Sequence, residues 1–150
     1  MPHVALVPFT GFRVKEEEML ELGMRLPGLH DRAMAIAQLP ALGLLTLAGM
    51  LPEHWTCAYH EAEDGDEGLI EQIIATRPAL VAVSALTASV LDAYRFADRL
   101  RGRRVPIVFG GLHATVCTDE ARQHFDSVVV GEGEAVWPEL LDDAQRGELK

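Results

Sequence analysis

The sequence is poor in the residues that mark several large classes of protein. It has two cysteines, Cys57 and Cys117, too few for a disulfide framework and without the close Cys or His neighbours of a zinc or iron–sulfur motif. No apolar run reaches the ~18 residues of a membrane span. Lys and Arg number 13 against 23 Asp and Glu, giving a net charge of −10 that argues against a nucleic-acid partner. The amino terminus lacks a cationic leader and a cleavage site, so we expect a cytoplasmic protein with no membrane partner.

Apolar runs alternate with helical patterns along the 150 residues, a length that fits one domain. The runs predict five strands, at 3–9, 55–62, 79–86, 106–110 and 127–130. Helical patterns between them lie at 42–51, 67–76, 89–101 and 135–146, with a short helix capped by Thr118. We therefore predict an α/β fold: a doubly wound, flavodoxin-like or Rossmann-like parallel sheet of five strands, in the order 2-1-3-4-5, with helices on both faces.

The connection after the first strand is unusually long. Residues 10–38 separate that strand from the first apolar helix, whereas connections in α/β units usually take ~2–6 residues. We predict that this segment is an insertion at the ligand edge, a lid or a docking surface, with a helix of its own at 15–25.

The residues at the carboxyl ends of the predicted strands indicate a ligand site, because ligands of such sheets bind beyond those ends. Gly110 and Gly111 have no Cβ atoms, which suits either a tight turn or a bulky group lying on bare backbone. Ser84 offers a hydroxyl to a ligand or to a nearby backbone group. Further candidate contacts at this edge, or beside it, are Leu86, Thr87, His113, Gly131, Glu132 and Gly43.

The sequence contains no recognisable catalytic arrangement. There is no readable nucleophile–base pair and no Walker loop. The segment Gly131-Glu-Gly-Glu134 lacks the third glycine of a dinucleotide fingerprint. The first strand ends in Pro8-Phe9, without the acidic residues of a phosphoacceptor receiver. We expect a binding domain with neither catalytic nor metal-ligating residues of its own.

Four segments, in order, carry a family resemblance. They are 40–48, Val83-Ser-Ala-Leu-Thr87, Val108-Phe-Gly-Gly-Leu-His-Ala-Thr115 and Val130-Gly-Glu-Gly-Glu-Ala-Val-Trp-Pro138. Together they resemble the amino-terminal, cobalamin-binding domain of cobalamin-dependent radical S-adenosylmethionine enzymes. That family includes the anaerobic magnesium-protoporphyrin IX monomethyl ester cyclase and related methyltransferases.

The resemblance implies that cobalamin is the cofactor. Its corrin ring would lie over the carboxyl edge of the sheet, and its nucleotide tail would enter a slot between the sheet and a helix. Ser84 and Leu86 match the Ser-x-Leu motif beside the tail, while Gly110 and Gly111 match the Gly-Gly motif that lets the tail pass.

The chain departs from the related domains at one informative position. Domains of the methionine synthase type carry Asp-x-His-x-x-Gly, whose histidine binds cobalt from below. The counterpart here is Gln38-Leu-Pro-Ala-Leu-Gly43, in which Pro40 stands at the histidine position. We predict cobalamin binding without a histidine ligand from this loop.

A second departure concerns the iron–sulfur cluster of the same enzymes. Cys57 and Cys117 cannot form the Cys-x-x-x-Cys-x-x-Cys motif that holds a [4Fe–4S] cluster. Residues 1–150 would then be the cofactor domain of a methyl-transfer or cyclase-type enzyme. Its radical barrel, with the cluster and S-adenosylmethionine, would lie downstream or on another chain.

Two other functions remain possible on the same scaffold, because fold alone does not choose among them. The chain could be an interaction or regulatory domain that has lost its ligand, with side chains such as those of 19–26 filling the slot. It could also be a flavodoxin-like domain that binds flavin or another nucleotide.

Overall fold

The computed structural model describes residues 1–9, 40–62 and 67–149. These residues form one sheet of β1 (His3–Phe9), β2 (Thr56–Tyr59), β3 (Leu80–Ala85), β4 (Ile107–Gly110) and β5 (Ser127–Val128). All four neighbouring pairs are parallel, and the order is β2-β1-β3-β4-β5. The predicted sheet and its strand order are confirmed, although four of the strands are shorter than the apolar runs that predicted them.

Six helices accompany the sheet in the described part of the chain. They are α1 (Leu42–Gly49), α2 (Glu67–Ala75), α3 (Val90–Arg101), α4 (Leu112–Val116), α5 (Thr118–Ala121) and α6 (Trp137–Arg146). Two 3-10 turns, Thr87–Ser89 and Gly133–Ala135, precede α3 and α6. Helix α6 has proline in its first turn and is followed by Gly147, whose φ of 71° is left-handed.

Two details of the helices differ from the sequence predictions. Helix α4 was not predicted, because its 5 residues are too few to show a helical period. Thr118 does not cap the next helix; it is the first residue of α5, and its hydroxyl donates to the Ala114 carbonyl at 2.8 Å.

Side chains on the two faces of the sheet build two separate apolar layers, because successive strand residues point to opposite faces. Odd-numbered residues, such as Val7 and Val83, pack against α2 and α3. Even-numbered residues, such as Leu6 and Ala82, pack against α1 and α6 together with Trp55. The sheet is thus covered on both sides, which is why its strands read as nearly continuous apolar runs.

Apart from Thr46, helix α1 consists of apolar residues and glycine, yet Leu44 is its one buried residue. Leu42 and Leu45 are exposed on its outer side. The start of the helix is fixed by the Ala41 N–H, which donates to the Tyr59 hydroxyl at 2.8 Å. This bond ties the helix to the edge strand β2.

The expected insertion at 10–38, with its helix at 15–25 and the possible plug at 19–26, lies outside the described residues. Within the described ranges, no helix is long and apolar enough to cross a membrane.

Candidate functional site

An open cleft lies at the carboxyl ends of β3, β4 and β5, between the sheet and the pair α1 and α6. Its volume is about 690 Å³, including the mouth that faces solvent. Its lining residues are Gly43, Leu44, Leu47, Ala82, Val83, Ser84, Val108, Gly110, Gly111, Val129, Gly131, Glu132, Gly133, Glu134 and Trp137. This is the edge of the sheet where α/β folds of this type bind ligands.

The cleft exists because the strand residues beneath it become small towards the carboxyl edge. On the even-numbered face, β3 runs from Leu80 through Ala82 to Ser84, and β4 runs from Val108 to Gly110. Ser84 and Gly110 are register partners, so two small residues lie next to each other at this edge. Larger residues at these two positions would fill the space between sheet and helices.

Gly111 has a backbone conformation that only glycine adopts readily. Its φ is 103° and its ψ is −169°, a region that is almost closed to residues with a side chain. A Cβ atom added there would also lie 3.0 Å from the Ser84 Oγ. Gly110 differs, because an added Cβ would meet only the Val129 Cβ, at 3.8 Å.

The roof and walls of the cleft are mainly apolar. Leu44 and Leu47 come from α1, and Trp137 is the first residue of α6. Gly133 lies against α1, where an added Cβ would make an ordinary contact with a Leu47 methyl carbon at 3.7 Å. The carboxylates of Glu132 and Glu134 are the charged groups of the lining.

Six of the nine predicted site residues line this cleft: Gly43, Ser84, Gly110, Gly111, Gly131 and Glu132. The other three, Leu86, Thr87 and His113, are not part of its lining. Leu86 and Thr87 are exposed where β3 leads into its 3-10 turn. Position at a strand end did not distinguish the residues that line the cleft from those that do not. The distinction depends on the face of the sheet towards which each side chain points.

His113 is a buried residue of α4 rather than a loop residue. Its Nε2 lies 3.1 Å from the Tyr94 hydroxyl, and its Nδ1 lies 3.1 Å from the Thr87 Oγ1. Burial, and then the neighbouring Glu120 carboxylate, raise the pKa of Tyr94 to about 12, so this hydroxyl stays protonated at neutral pH. The network fixes the segments that follow β3 and β4, and it holds His113 away from the cleft.

Cys117 has neighbours that its sequence context did not reveal. Potential ligand atoms of His113, Cys117 and Glu120 lie within 4.8 Å of one another. Both ring nitrogens of His113 already have hydroxyl neighbours at hydrogen-bond distance. The His113 side chain of this cluster therefore belongs to the hydrogen-bonded network with Tyr94 and Thr87.

Trp137 lines the cleft but was not among the residues predicted for the site, although it lies in the family motif at 130–138. The side chain is 2 % exposed and belongs to the apolar layer of α1 and α6. The available signal was an aromatic residue three positions after the Gly-Glu-Gly-Glu segment that follows a strand end. The direction of the Trp137 side chain depends on where α6 begins. The sequence pattern predicts that start at 135, whereas the helix begins at 137.

Comparison with known proteins gives a consistent family assignment. The model of the B12 binding domain family matches residues 33–141 of this chain. A bacteriochlorophyllide d C-12(1)-methyltransferase of Chlorobaculum tepidum is 42% identical over 71 residues, which is 47% of this chain and 16% of that protein. The C-8(2)-methyltransferase of the same organism is 39% identical over 71 residues, with the same shares covered.

An uncharacterized methyltransferase of Pyrococcus horikoshii is 35% identical over 120 residues, which is 74% of this chain and 26% of that protein. The chain therefore matches a minor part of each of these three relatives. No solved structure gives a significant match.

Proposed function

Because this chain belongs to the B12-binding domain family, with cobalamin as its cofactor, we propose that its cleft holds the lower appendage of that cofactor. The observation that carries the proposal is the floor of Ser84, Gly110 and Gly111, which opens to solvent between the sheet and two helices. A ligand-free regulatory domain on this scaffold would be expected to fill that space with side chains. Among the described residues, none closes it.

The residues of the cleft suit a flat aromatic base with a polar linker. Leu44, Leu47 and Val108 offer apolar contact area for a ring. The Ser84 hydroxyl is a polar group of the cleft floor, and it lies where the linker would pass bare backbone at Gly110 and Gly111. Gly43 adds room at the start of α1, because an added Cβ there would meet no atom within 4 Å.

The residues before α1 support cobalamin binding without a histidine ligand from that loop. Pro40, at the position where related domains carry histidine, is exposed immediately before α1. Its ring nitrogen is part of the peptide bond and has no lone pair to offer a metal. In this proposal the chain holds the cofactor through the tail slot.

We further propose that the chain is the cofactor module of a radical S-adenosylmethionine enzyme with methyl-transfer or cyclase-type chemistry. Three relatives are named as methyltransferases, and this chain matches 16% to 26% of their lengths. When bound, cobalamin supplies the cobalt chemistry, whereas this chain supplies binding and orientation. The barrel with the [4Fe–4S] cluster and S-adenosylmethionine would be provided in cis or in trans.

Exposed apolar residues around the cleft support the docking of such a domain over the carboxyl edge. Leu86 follows β3, Leu112 and Val116 belong to α4 after β4, and Val130 follows β5. Their exposed fractions range from 45% to 73%. A partner lying over this edge would cover these side chains and enclose the face of the corrin.

The direct test is retention of hydroxocobalamin after desalting, measured by corrin absorbance. We expect the purified chain to retain it in a ratio near one to one, and Gly110→Val to lose most of the retention because the new side chain enters the cleft. Gly102→Val is the matched control, since Gly102 ends α3 with an ordinary φ of −62° and an added Cβ would have an ordinary contact at 3.5 Å. Thermal melting checks that both variants fold.

The same experiment with flavin mononucleotide separates the rival binding function. Tighter retention of flavin than of corrin would favour a flavodoxin-like nucleotide domain. Retention of neither compound would favour the interaction domain. If Gly110→Val retained as much corrin as the unchanged chain, the proposal that the cofactor tail occupies the cleft would be wrong.

A further inference from the structure

Trp137 lines the cleft, and its indole N–H is a buried donor. Trp137 is 2 % exposed, and its Nε1 has no hydrogen-bond partner among the described residues. Buried donors are nearly always paired in native structures, because an unmade hydrogen bond leaves the cost of removing the group from water uncompensated. This donor therefore calls for a specific explanation.

The surroundings of Trp137 narrow down what can pair with it. An indole nitrogen only donates, so its partner must be an acceptor. The cleft lining is otherwise composed of glycine and apolar side chains, except for the Ser84 hydroxyl on the floor and the carboxylates of Glu132 and Glu134. None of these polar groups lies at hydrogen-bond distance from Nε1. A ligand group that enters the cleft would supply the acceptor that the described residues do not.

The position of Trp137 in the fold fixes where that ligand group would lie. Trp137 begins α6, directly after the 3-10 turn Gly133–Ala135, and packs in the same apolar layer as Ala82 and Val108 of the floor. Helix α6 is anchored below it by Leu140 and Leu141, both buried. The ring is therefore held on a rigid element, so that its donor is in place before a ligand arrives.

We propose that Trp137 is a specificity-determining residue that donates its indole N–H to an acceptor on the nucleotide tail of the corrinoid. The acceptor is a ring nitrogen or an oxygen of the tail, and a corrinoid without a tail would leave the donor unpaired. The inference rests on the proposed function, since it assumes that the tail occupies the cleft. It adds a residue that discriminates among corrinoids by their lower appendage.

The test is a comparison of two corrinoids on two variants. Trp137→Phe keeps an aromatic ring but removes the N–H. Dissociation constants are measured by absorbance titration for hydroxocobalamin and for cobinamide, which lacks the nucleotide tail. We expect Trp137→Phe to weaken hydroxocobalamin binding about tenfold, equivalent to ~1.4 kcal/mol, and to leave cobinamide binding unchanged. Trp55→Phe is the control, because Trp55 is buried in the same layer but does not line the cleft.

A second measurement uses the wild-type chain and does not depend on the variant folding. The indole N–H resonance of Trp137 is followed by NMR with nitrogen-15 labelling. We expect a downfield proton shift on addition of hydroxocobalamin and none of that size with cobinamide. The Trp55 indole resonance serves as the internal control.

Each outcome separates this inference from the proposed function. If the wild-type chain binds hydroxocobalamin but Trp137→Phe binds it equally well, the inference is wrong and the proposed function stands. Equal weakening for both corrinoids would reduce Trp137 to a packing role and would also overturn the inference. If the wild-type chain binds neither corrinoid, the proposed function itself fails, and the inference fails with it.

Discussion

Gly111 lies so close to Ser84 that a Cβ atom added to its backbone would come within 3.0 Å of the Ser84 Oγ. The residue before it, Gly110, is the register partner of Ser84 and has ordinary space for a Cβ atom. The two glycines of the pair thus serve different purposes. Gly111 permits the positive φ that precedes α4, whereas Gly110 leaves the floor of the cleft free of side-chain atoms.

Because the two glycines differ in conformation, replacing each by alanine should lower the free energy of unfolding by different amounts. Gly111→Ala should lower the free energy of unfolding by ~1–3 kcal/mol, because a residue with a side chain is strained at its φ of 103°. Gly110→Ala should change it by less than about 1 kcal/mol. Urea unfolding of the two variants without cofactor measures both values. Similar costs for the two would contradict the distinct conformations described here.

A second prediction compares two glycines of α1. Neither Gly43 nor Gly49 would bring an added Cβ within 4 Å of another atom, so both should accept alanine. Each replacement should stabilise the chain without cofactor by up to ~1 kcal/mol, because alanine has the higher helix propensity. Gly43 lines the cleft and Gly49 does not, so only Gly43→Ala should weaken hydroxocobalamin binding.

Thermal melting and absorbance titration of this matched pair check the prediction. Weaker binding by both variants would indicate that α1 itself moves, rather than that Gly43 provides room. Empty space lies beside both glycines, so close packing against a neighbour does not explain either of them.

The strand order could be predicted from the sequence because it depends on features that a single chain displays. The apolar runs at 79–86 and 106–110 are bounded by polar or turn residues, and right-handed crossovers leave few arrangements of parallel strands. The predicted first and last residues of the strands agreed less well with the structure. Strand β2 covers Thr56–Tyr59 instead of 55–62, although Ala62 still forms an isolated parallel bridge with Phe9 at the end of β1.

The cleft was predicted by position but not in full composition. Glycine and serine at strand ends are visible in a sequence, so Ser84, Gly110 and Gly111 were found. The positions of Trp137 in the cleft lining and of His113 outside it were not predicted, because the directions of both side chains depend on helices that begin only after the chain has turned over the sheet edge. Helix α4 is a clear case, since its 5 residues carry no period.

A third prediction concerns stability in mild acid. Burial lowers the pKa of His60, and the nearby His3 lowers it further; burial also lowers the pKa of His3. Both groups therefore bind a proton less readily in the folded chain than in the unfolded chain, where the value is near 6.5. Their contribution to stability is complete above about 6.5 and is lost as the pH falls through the lowered values.

Urea unfolding at pH 7.5 and pH 5.5 should show this loss. The slope contributed by each histidine is at most ~1.4 kcal/mol per pH unit. His60→Asn should flatten the pH dependence, whereas the same change at the exposed His54 should preserve it. An unchanged slope in His60→Asn would assign the acid sensitivity to other groups.

The last prediction concerns the buried hydroxyl that joins β1 to the turn before α3. Ser89 is 8% exposed, and its Oγ donates to the Phe9 carbonyl at 2.9 Å. Phe9 is the last residue of β1, at the carboxyl edge, and Ser89 is the last residue of the turn Thr87–Ser89. The bond therefore holds the end of β1 to this turn, on the face of the sheet opposite the cleft. Ser89→Ala should lower the free energy of unfolding by ~1–3 kcal/mol, because the change leaves a buried carbonyl without this donor.

Ser127→Ala is the control for this prediction, because Ser127 is half-buried on the short edge strand β5 and should lose less than about 0.5 kcal/mol. Hydroxocobalamin affinity should be the same in both variants, since neither residue lines the cleft. Weaker binding by Ser89→Ala would show that the turn carrying Thr87 contributes to the cofactor site. In that case the hydrogen-bonded link from Thr87 to His113 would become the next element to vary.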